Sequence, residues 1–313
     1  MTRIAVVDLG TNSTRLLVAD VDEGAVEELD RRTIVTRFGE GVDAHGRLAD
    51  AAMGRVEDAL QGYREAIDGL GADDVVGVAT SAMRDAENGP AFHDHVLERF
   101  GMDLATISGQ EEARLTFLGA TAARGDTPET VVVDIGGGST EYVIGRPTED
   151  PVFRVSARMG SVRFSERFIG HDPPEDSEVT ALREEAAAVV SSEVPTDLRS
   201  ETEHAIAVAG TATTLAAIDQ ELDPYDPEKV HGYRLGLASC EEILEMLAAL
   251  PLEGRRAVTG LHPDRAPTIV AGAAILLESM RSFGLKTVEI SENDILHGAA
   301  LAAVEGRFPQ DAG

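Results

Sequence analysis

Tryptophan is absent from this sequence, and cysteine occurs once, as Cys240. A single cysteine excludes a disulfide within the chain and suits a reducing cytoplasm, where we expect the protein to act. The first twenty residues lack the basic and then apolar leader of a secretory signal. The apolar run at 269–277 is too short for a bilayer, which takes about 20 residues. We therefore expect no membrane partner.

Positive charge is also scarce, and lysine most of all. The chain has 27 Lys and Arg residues against 56 Asp and Glu residues, which gives a net charge of −29. Lys229 and Lys286 are the only lysines. Such a chain repels nucleic acid and anionic membranes at long range, so we expect no nucleic-acid partner. The composition fits adaptation to high salt. A GC-rich genome that favours arginine codons explains the scarcity of lysine relative to arginine equally well.

The remaining composition is that of a folded globular chain. Hydrophobic residues make up 43% of the sequence and charged residues 27%. The length of 313 residues allows about two domains of about 150 residues each.

One glycine-rich stretch, VVVDIGGGSTEYVIG at 131–145, places a carboxylate beside bare backbone. Glycine lets backbone N–H groups approach a bound oxyanion closely. A carboxylate beside a phosphate repels it unless a metal ion lies between them. The stretch alone therefore fits either a phosphate and divalent-metal site or a β-hairpin with a mobile turn.

The start of the chain repeats this pattern. VDLGTNSTRLLV at 7–18 aligns without a gap on VDIGGGSTEYVI at 133–144. The matched pairs are Asp8 with Asp134, Gly10 with Gly136, Ser13 with Ser139 and Thr14 with Thr140. Two similar hairpins half a chain apart indicate a duplicated domain, in which both loops serve one ligand.

Helical and strand patterns alternate between and after the hairpins. The predicted helices are 48–70, 90–100, 109–124, 175–194, 211–222, 239–250 and 267–284, and the predicted strands begin or lie at 75–83, 104–108, 204–210 and 287–291. Strands that alternate with helices predict a mixed or parallel α/β sheet.

Six motifs in order resemble one known family. They are VVDLGTNSTRLLV, ATSAMRDAENG, ISGQEEARLTFLG, VVVDIGGGSTEYVIG, VAGTATTLAAI and VHGYRL, and they extend from about residue 4 to about residue 300. The set resembles the exopolyphosphatase/guanosine pentaphosphate phosphohydrolase (Ppx/GppA) family. The resemblance implies release of terminal phosphate from inorganic polyphosphate, or of the 5′ γ-phosphate from guanosine pentaphosphate.

The resemblance also implies a fold and an organisation. We expect an α/β protein with the actin-like fold of sugar kinases and Hsp70, built from two ribonuclease-H-like lobes. One lobe would contain residues 1–118 with about 298–313, and the other residues 119–297. We also expect a homodimer.

Phosphoryl chemistry also follows from the side chains of the two hairpins. Asp8 and Asp134 lie at the ends of equivalent strands, and two hard carboxylates suit Mg²⁺ or Mn²⁺. The candidate donors to phosphate oxygens are Asn12, Ser13, Gly136, Gly137, Gly138 and Ser139. Such preorganised donors stabilise the charge of a transferring phosphoryl group. Ordinary turn chemistry is the alternative for both serines.

Two adjacent glutamates compete for the role of catalytic base in SGQEEARL. Ser108 and Glu111 have the spacing of a helix capping box, which would occupy Glu111 at the helix start. Glu112 lies about 100° further around the helix and would be free to act. In the family, the carboxylate of this motif activates the attacking water, and its position favours Glu112. The alternative is that both glutamates only stabilise the first turn.

Two arginines and a third loop complete the candidate phosphate site. Arg84 follows a predicted strand end, where it could bind phosphate or form a surface ion pair with Asp85 or Glu87. Arg15 corresponds to the hairpin arginine of the family, which the resemblance implies can contact the polyphosphate or nucleotide. Its alternative role is to pair with a carboxylate across the hairpin. Gly210 and Thr211 resemble a phosphate-side or nucleoside-side loop, although Thr211 could instead cap the helix.

Two segments depart from the family pattern. The residues after Arg265 are APT rather than an acid-containing run, so a role for this arginine near the ligand is doubtful. In SENDILHGAAL, Leu296 and His297 stand where the family often has arginine and glutamate, which puts a basic contact from this segment in doubt.

Three classes of function compete at this stage. The first is a polyphosphate phosphohydrolase, and the second is a guanosine pentaphosphate phosphohydrolase or a sugar kinase of the same fold. The third is a non-catalytic protein that binds guanosine penta- or tetraphosphate or polyphosphate. A binder needs no catalytic base, so Glu112 argues against the third, and no sugar-kinase aspartate motif is recognisable.

Overall fold

A computed structural model describes residues 1–125, 127–147 and 149–309. It divides into two compact units, each with its own sheet and core. The first unit consists of Met1–Gly125 and the C-terminal segment from Asp294, and the second consists of the residues between them. Among the described residues, every helix falls short of the length and apolarity needed to cross a bilayer.

The strands are β1 Thr2–Leu9, β2 Thr14–Asp22, β3 Ala25–Ile34, β4 Asp74–Ala79, β5 Leu104–Thr106, β6 Thr130–Ile135, β7 Thr140–Gly145, β8 Phe153–Ala157, β9 His204–Val208, β10 Arg234–Gly236 and β11 Thr287–Ile290. The helices are α1 Val42–His45, α2 Asp50–Leu70, α3 Ser81–Asp85, α4 Gly89–Phe100, α5 Gly109–Thr121, α6 Ser161–Phe168, α7 Asp176–Glu193, α8 Thr196–Glu201, α9 Ala209–Asp219, α10 Pro227–Val230, α11 Leu237–Ala249, α12 Leu252–Arg256, α13 Ile269–Ser282 and α14 Ile295–Val304.

The two sheets repeat one topology. The first has the strand order β3-β2-β1-β4-β5, and the second has β8-β7-β6-β9-β11 with β10 added at its edge. In both, the first three strands of the unit form an antiparallel meander, and the later strands pair in parallel. The added strand β10 is the exception, because it pairs antiparallel with β11. The duplication predicted from the paired hairpins, and the ribonuclease-H-like fold that the family resemblance implied, are therefore confirmed.

Strand β1 has a nearly continuous apolar sequence because both of its faces are covered. Ala5 and Val7 belong to the core that the sheet forms with α2 and α4. Ile4 and Val6 face the opposite side, where the core includes residues of α5 and α14. A strand that is covered on both faces loses the alternation of polar and apolar residues.

Helices α5 and α14 are both part of the first unit. Their backbones approach so closely that a Cβ atom added at Gly119 would lie 1.9 Å from the backbone oxygen of Asp294. A Cβ atom at Gly298 would lie 1.8 Å from the backbone oxygen of Leu115. The boundaries predicted at 118/119 and 297/298 fall inside these helices, whereas the units divide just outside them.

Candidate functional site

The loop between β1 and β2 is fixed by its carbonyl groups. The backbone oxygen of Thr11 accepts a hydrogen bond from Gly39 N at 2.8 Å, and that of Asn12 accepts one from Arg37 N at 2.9 Å. The N–H groups of residues 11–13 have no acceptor within the described residues. The loop therefore has three successive backbone N–H groups without a protein acceptor, and hydrogen bonds to its carbonyl groups hold its backbone in place.

The loop between β6 and β7 is built in the same way. The backbone oxygen of Gly136 accepts from Ser161 N at 2.9 Å, and that of Gly137 accepts from Val162 N at 2.9 Å. The described part of the chain contains no acceptor for the N–H groups of residues 137–139. Gly160 permits this arrangement, since a Cβ atom there would lie 2.4 Å from the oxygen of Gly137.

Both loops close with the same hydrogen bond. Gly10 N donates to the oxygen of Ser13 at 3.1 Å, and Gly136 N donates to that of Ser139 at 3.0 Å. A Cβ atom would lie 3.0 Å from the Ser13 oxygen at Gly10 and 3.2 Å from the Ser139 oxygen at Gly136, so the closed loop favours glycine at both positions. Successive N–H groups without protein acceptors are the donors from which anion-binding concavities are built. The hydrogen bonds along the carbonyl groups of both loops favour this interpretation over a mobile turn.

Asp8 is a buried carboxylate at the end of β1. Its Oδ2 atom accepts a hydrogen bond from Arg15 Nε at 2.8 Å, across the hairpin. Its Oδ1 atom is buried and has no hydrogen-bond partner among the described residues. Burial raises the pKa of Asp8, and the charge of Arg15 opposes that rise. One carboxylate oxygen of Asp8 is therefore bound by the protein, and the other has no hydrogen-bond partner among the described residues.

Arg15 also pairs with Asp294, which sequence reasoning did not identify. The guanidinium contacts Asp294 Oδ2, and Arg31 lies 3.6 Å from the same oxygen. Burial acts to raise the pKa of Asp294, but Arg15, Arg31 and His297 together hold it below its ordinary value. The cross-strand alternative for Arg15 is thus present in the structure, and its guanidinium serves two carboxylates.

Asp134 occupies the matching position at the end of β6. It is buried and pairs in register with Glu141, as Asp8 pairs with Arg15. Within the described residues there is no group of three or more His, Cys, Asp or Glu side chains arranged to hold a metal. A cation that takes one or two protein carboxylates and fills its other positions with phosphate and water fits such a site.

Glu111 and Glu112 have different environments. Glu111 N donates to Ser108 Oγ at 3.2 Å, which confirms the first half of the capping box. The Glu111 side chain instead accepts from Arg114 Nε at 2.9 Å, so the reciprocal bond of the box is replaced by an ion pair. Glu112 is 9% exposed, and its Oε2 atom lies 3.9 Å from Arg84 Nη1.

Arg84 is positioned by the end of the neighbouring strand. Its Nη1 atom donates to the backbone oxygen of Ile107 at 2.8 Å, just after β5. Asp8 lies at the carboxyl end of β1, and Arg84 and Glu112 follow the carboxyl ends of β4 and β5. The three strands are adjacent in the first sheet. Ligands of α/β proteins bind at this edge of the sheet.

The start of α9 in the second unit brings Gly210 against Arg265. A Cβ atom at Gly210 would lie 1.8 Å from Arg265 Nη1, so glycine leaves room for the guanidinium in its present position. Thr211 Oγ1 donates to the backbone oxygen of Ile135 at 3.4 Å, next to the second loop, and no side chain caps the helix. Arg265, whose role near the ligand the sequence did not establish, therefore lies next to the candidate loop residue Gly210.

Ala209 has a left-handed backbone with φ of 63°, directly before Gly210. This conformation costs a non-glycine residue roughly 1–2 kcal/mol. We expect Ala209→Gly to raise the free energy of unfolding by about 1 kcal/mol and the melting temperature by about 2–4 °C, measured by thermal denaturation. Ala212→Gly in the same helix is the control and should lower stability by about 1 kcal/mol. Equal losses in both variants would contradict a strained backbone at Ala209.

Comparisons with known proteins give a consistent result. The profile of the Ppx/GppA phosphatase family matches residues 17–305. Exopolyphosphatase 2 of Mycobacterium tuberculosis is 38% identical over 319 aligned residues, with 96% of this chain and 98% of that protein covered. The crystal structure of the Aquifex aeolicus Ppx/GppA family member has a TM-score of 0.82 and 29% identity, with 99% of each chain covered. A guanosine-5′-triphosphate,3′-diphosphate pyrophosphatase of Pseudoalteromonas atlantica is 26% identical, with 98% of this chain and 59% of that protein covered.

Proposed function

Since this chain belongs to the Ppx/GppA phosphatase family and has its duplicated actin-like fold, we propose that it releases terminal orthophosphate from inorganic polyphosphate. The observation that carries the proposal is the pair of fixed loops, each with three successive N–H groups that no described residue accepts. Backbone donors of this kind bind phosphate oxygens. The 38% sequence identity to an exopolyphosphatase, over 96% of this chain, supports polyphosphate as the substrate.

In the proposed reaction, Glu112 is the general base. Its carboxylate takes a proton from water as the water oxygen bonds to the terminal phosphorus. The bond from that phosphorus to the bridging oxygen breaks, and the shortened chain leaves with the electron pair. Arg84, 3.9 Å from Glu112, stabilises the negative charge of the transferring group through its guanidinium. The loop that contains Asn12 and Ser13, and the N–H groups of residues 137–139, orient the phosphate oxygens. Gly136, which the sequence also indicated as a phosphate donor, instead closes its loop by donating to the oxygen of Ser139.

The proposed cofactor is Mg²⁺ or Mn²⁺, held by Asp8 and Asp134. Asp8 fits this role, because its buried Oδ1 atom has no partner among the described residues. A bound divalent cation supplies charge neutralisation of the phosphate oxygens. Arg15 fixes the other Asp8 oxygen, so that the free oxygen keeps one orientation. We propose that the enzyme acts in the cytoplasm as a homodimer.

A second candidate function is removal of the 5′ γ-phosphate from guanosine pentaphosphate. Similarity to the Pseudoalteromonas atlantica pyrophosphatase favours it, and Gly210, Thr211 and Arg265 would lie on the nucleoside side. A non-catalytic binder would not require the buried Glu112.

A phosphate-release assay tests these functions, with graded polyphosphate lengths and guanosine pentaphosphate as substrates, with and without Mg²⁺. Addition of a hexose acceptor tests for kinase activity, which would lower phosphate release and form a sugar phosphate.

Net charge gives a prediction about salt. A protein of charge −29 repels a polyanion at long range, and screening shortens that repulsion to about 10 Å at 0.1 M salt. We expect kcat/KM for long polyphosphate to rise from low to moderate KCl at fixed Mg²⁺, because salt weakens this long-range repulsion. The attraction of Arg84 for phosphate acts at short range from a partly buried position, so salt weakens it less. The measurement is initial-rate kinetics across the KCl series. A steady fall in kcat/KM would mean that a local basic patch governs encounter.

A further inference from the structure

Arg37 is fixed beside the first candidate loop by its backbone. It has a left-handed conformation with φ of 48°. Its N–H group donates to the oxygen of Asn12 at 2.9 Å, and its own oxygen accepts from Glu40 N at 3.1 Å and from Arg55 Nη2 at 3.4 Å. These bonds tie the Arg37 backbone to the loop that presents the unclaimed N–H groups of residues 11–13.

The side chain of Arg37 is half-buried and unpaired. Its guanidinium has no hydrogen bond or ion pair with any residue that the structure describes. Every other arginine in the described ranges has a hydrogen bond, an ion pair or another electrostatic contact. In a chain with 56 acidic residues, this isolation is unusual for a cationic side chain.

Backbone strain makes the isolation informative. A left-handed conformation costs a non-glycine residue roughly 1–2 kcal/mol, and glycine would adopt it at no such cost. The Arg37 side chain forms no hydrogen bond or ion pair with the described residues that would offset this strain. Strained residues that their surroundings hold in place are concentrated at ligand-binding sites, so an outlier of this kind supports a hypothesis of function.

We propose that Arg37 is a substrate-binding residue that holds phosphates of the polyphosphate chain next to the first loop. Its guanidinium fork matches two phosphate oxygens at once, and its charge is not neutralised by a described carboxylate. The N–H groups of residues 11–13 and this guanidinium then form one anion site in the first unit. The identity of the anion as polyphosphate rests on the proposed function, whereas the existence of the anion site does not.

Binding of inorganic tripolyphosphate tests this inference by isothermal titration calorimetry. The measurement uses the Glu112→Gln background, in which the ligand is not consumed. We expect Arg37→Gly to raise the dissociation constant about 10- to 100-fold, the range for loss of a hydrogen bond to a charged group. Arg37→Lys should recover part of the affinity, because it restores the charge without the fork. The melting temperature of Arg37→Gly should stay equal or rise, since the strain is relieved.

Arg47→Ala is the matched control for charge. Arg47 is an exposed residue of the same unit, 3.6 Å from Glu87, and its loss should change neither affinity nor stability. An unchanged dissociation constant for Arg37→Gly, or an equal loss in Arg47→Ala, overturns the inference even if the wild-type protein hydrolyses polyphosphate. A fall in the melting temperature of Arg37→Gly assigns the side chain a structural role and also overturns it. If the wild-type protein releases no phosphate but affinity still depends on Arg37, the proposed function fails and the anion site stands.

Discussion

Glu112→Gln is expected to lower kcat for phosphate release by about 10²–10⁴-fold, the contribution typical of a general base. Glutamine keeps the size of the side chain and its place near Arg84, but it cannot accept the proton of the attacking water. Folding and tripolyphosphate affinity should therefore remain close to those of the wild-type enzyme. Steady-state kinetics, thermal denaturation and calorimetry measure the three quantities.

Glu111→Gln is the matched control for this prediction. Glu111 is the preceding residue of α5, and its carboxylate pairs with Arg114 Nε at 2.9 Å. The pair is partly buried at the protein surface and joins residues one helical turn apart, and such pairs contribute roughly 0–1 kcal/mol. The variant should therefore lose little stability and little activity. A larger loss of kcat in Glu111→Gln than in Glu112→Gln would show that the base has been assigned to the wrong glutamate.

Gly119→Ala is expected to cause the largest loss of stability. The added Cβ atom would lie 1.9 Å from the backbone oxygen of Asp294, so α5 and α14 would have to separate. Overpacking typically costs about 1–3 kcal/mol, and contact with backbone rather than a flexible side chain places this variant at or above the upper end. We expect a fall of about 6–12 °C in the melting temperature. Phosphate release should fall as well, because α5 carries Glu112.

Gly54→Ala separates this steric effect from helix propensity. Gly54 lies inside α2, and a Cβ atom there would meet no atom within 4 Å. The substitution should raise stability by about 1 kcal/mol, since alanine favours a helix interior over glycine. A small effect of Gly119→Ala, similar in size to that of Gly54→Ala, would mean that the two helices are not in close backbone contact.

The hairpins and their loops could be predicted because their signals are local. Asp8, Gly10 and Ser13 recur at the same spacing as Asp134, Gly136 and Ser139, and the structure gives both sets a four-residue loop between antiparallel strands. The long helices were also predictable, as α4 shows with Pro90 in its first turn. Each of these features depends on neighbours within one or two turns of chain.

Other parts of the site could not be predicted because they depend on distant contacts. Arg15 and Asp294 are 279 residues apart in sequence, and no local pattern indicates that they pair. Arg265 meets Gly210 only once the second unit has folded. Strand β3 was not predicted, because its charged sequence AVEELDRRTI lies at the exposed edge of its sheet. The isolation of Arg37 likewise becomes visible only when every other arginine has been matched to its contacts.

Analysis of the products formed from polyphosphate of one defined length tests whether the enzyme releases terminal orthophosphate with Glu112 as the general base. The wild-type enzyme with Mg²⁺ is mixed with the substrate, and orthophosphate and the remaining chains are resolved over time. We expect orthophosphate as the only small product, remaining chains that shorten from the end one phosphate at a time, and a rate that falls about 10²–10⁴-fold in Glu112→Gln. Chains cut at internal bonds, or release from wild-type and Glu112→Gln enzymes at equal rates, would contradict it.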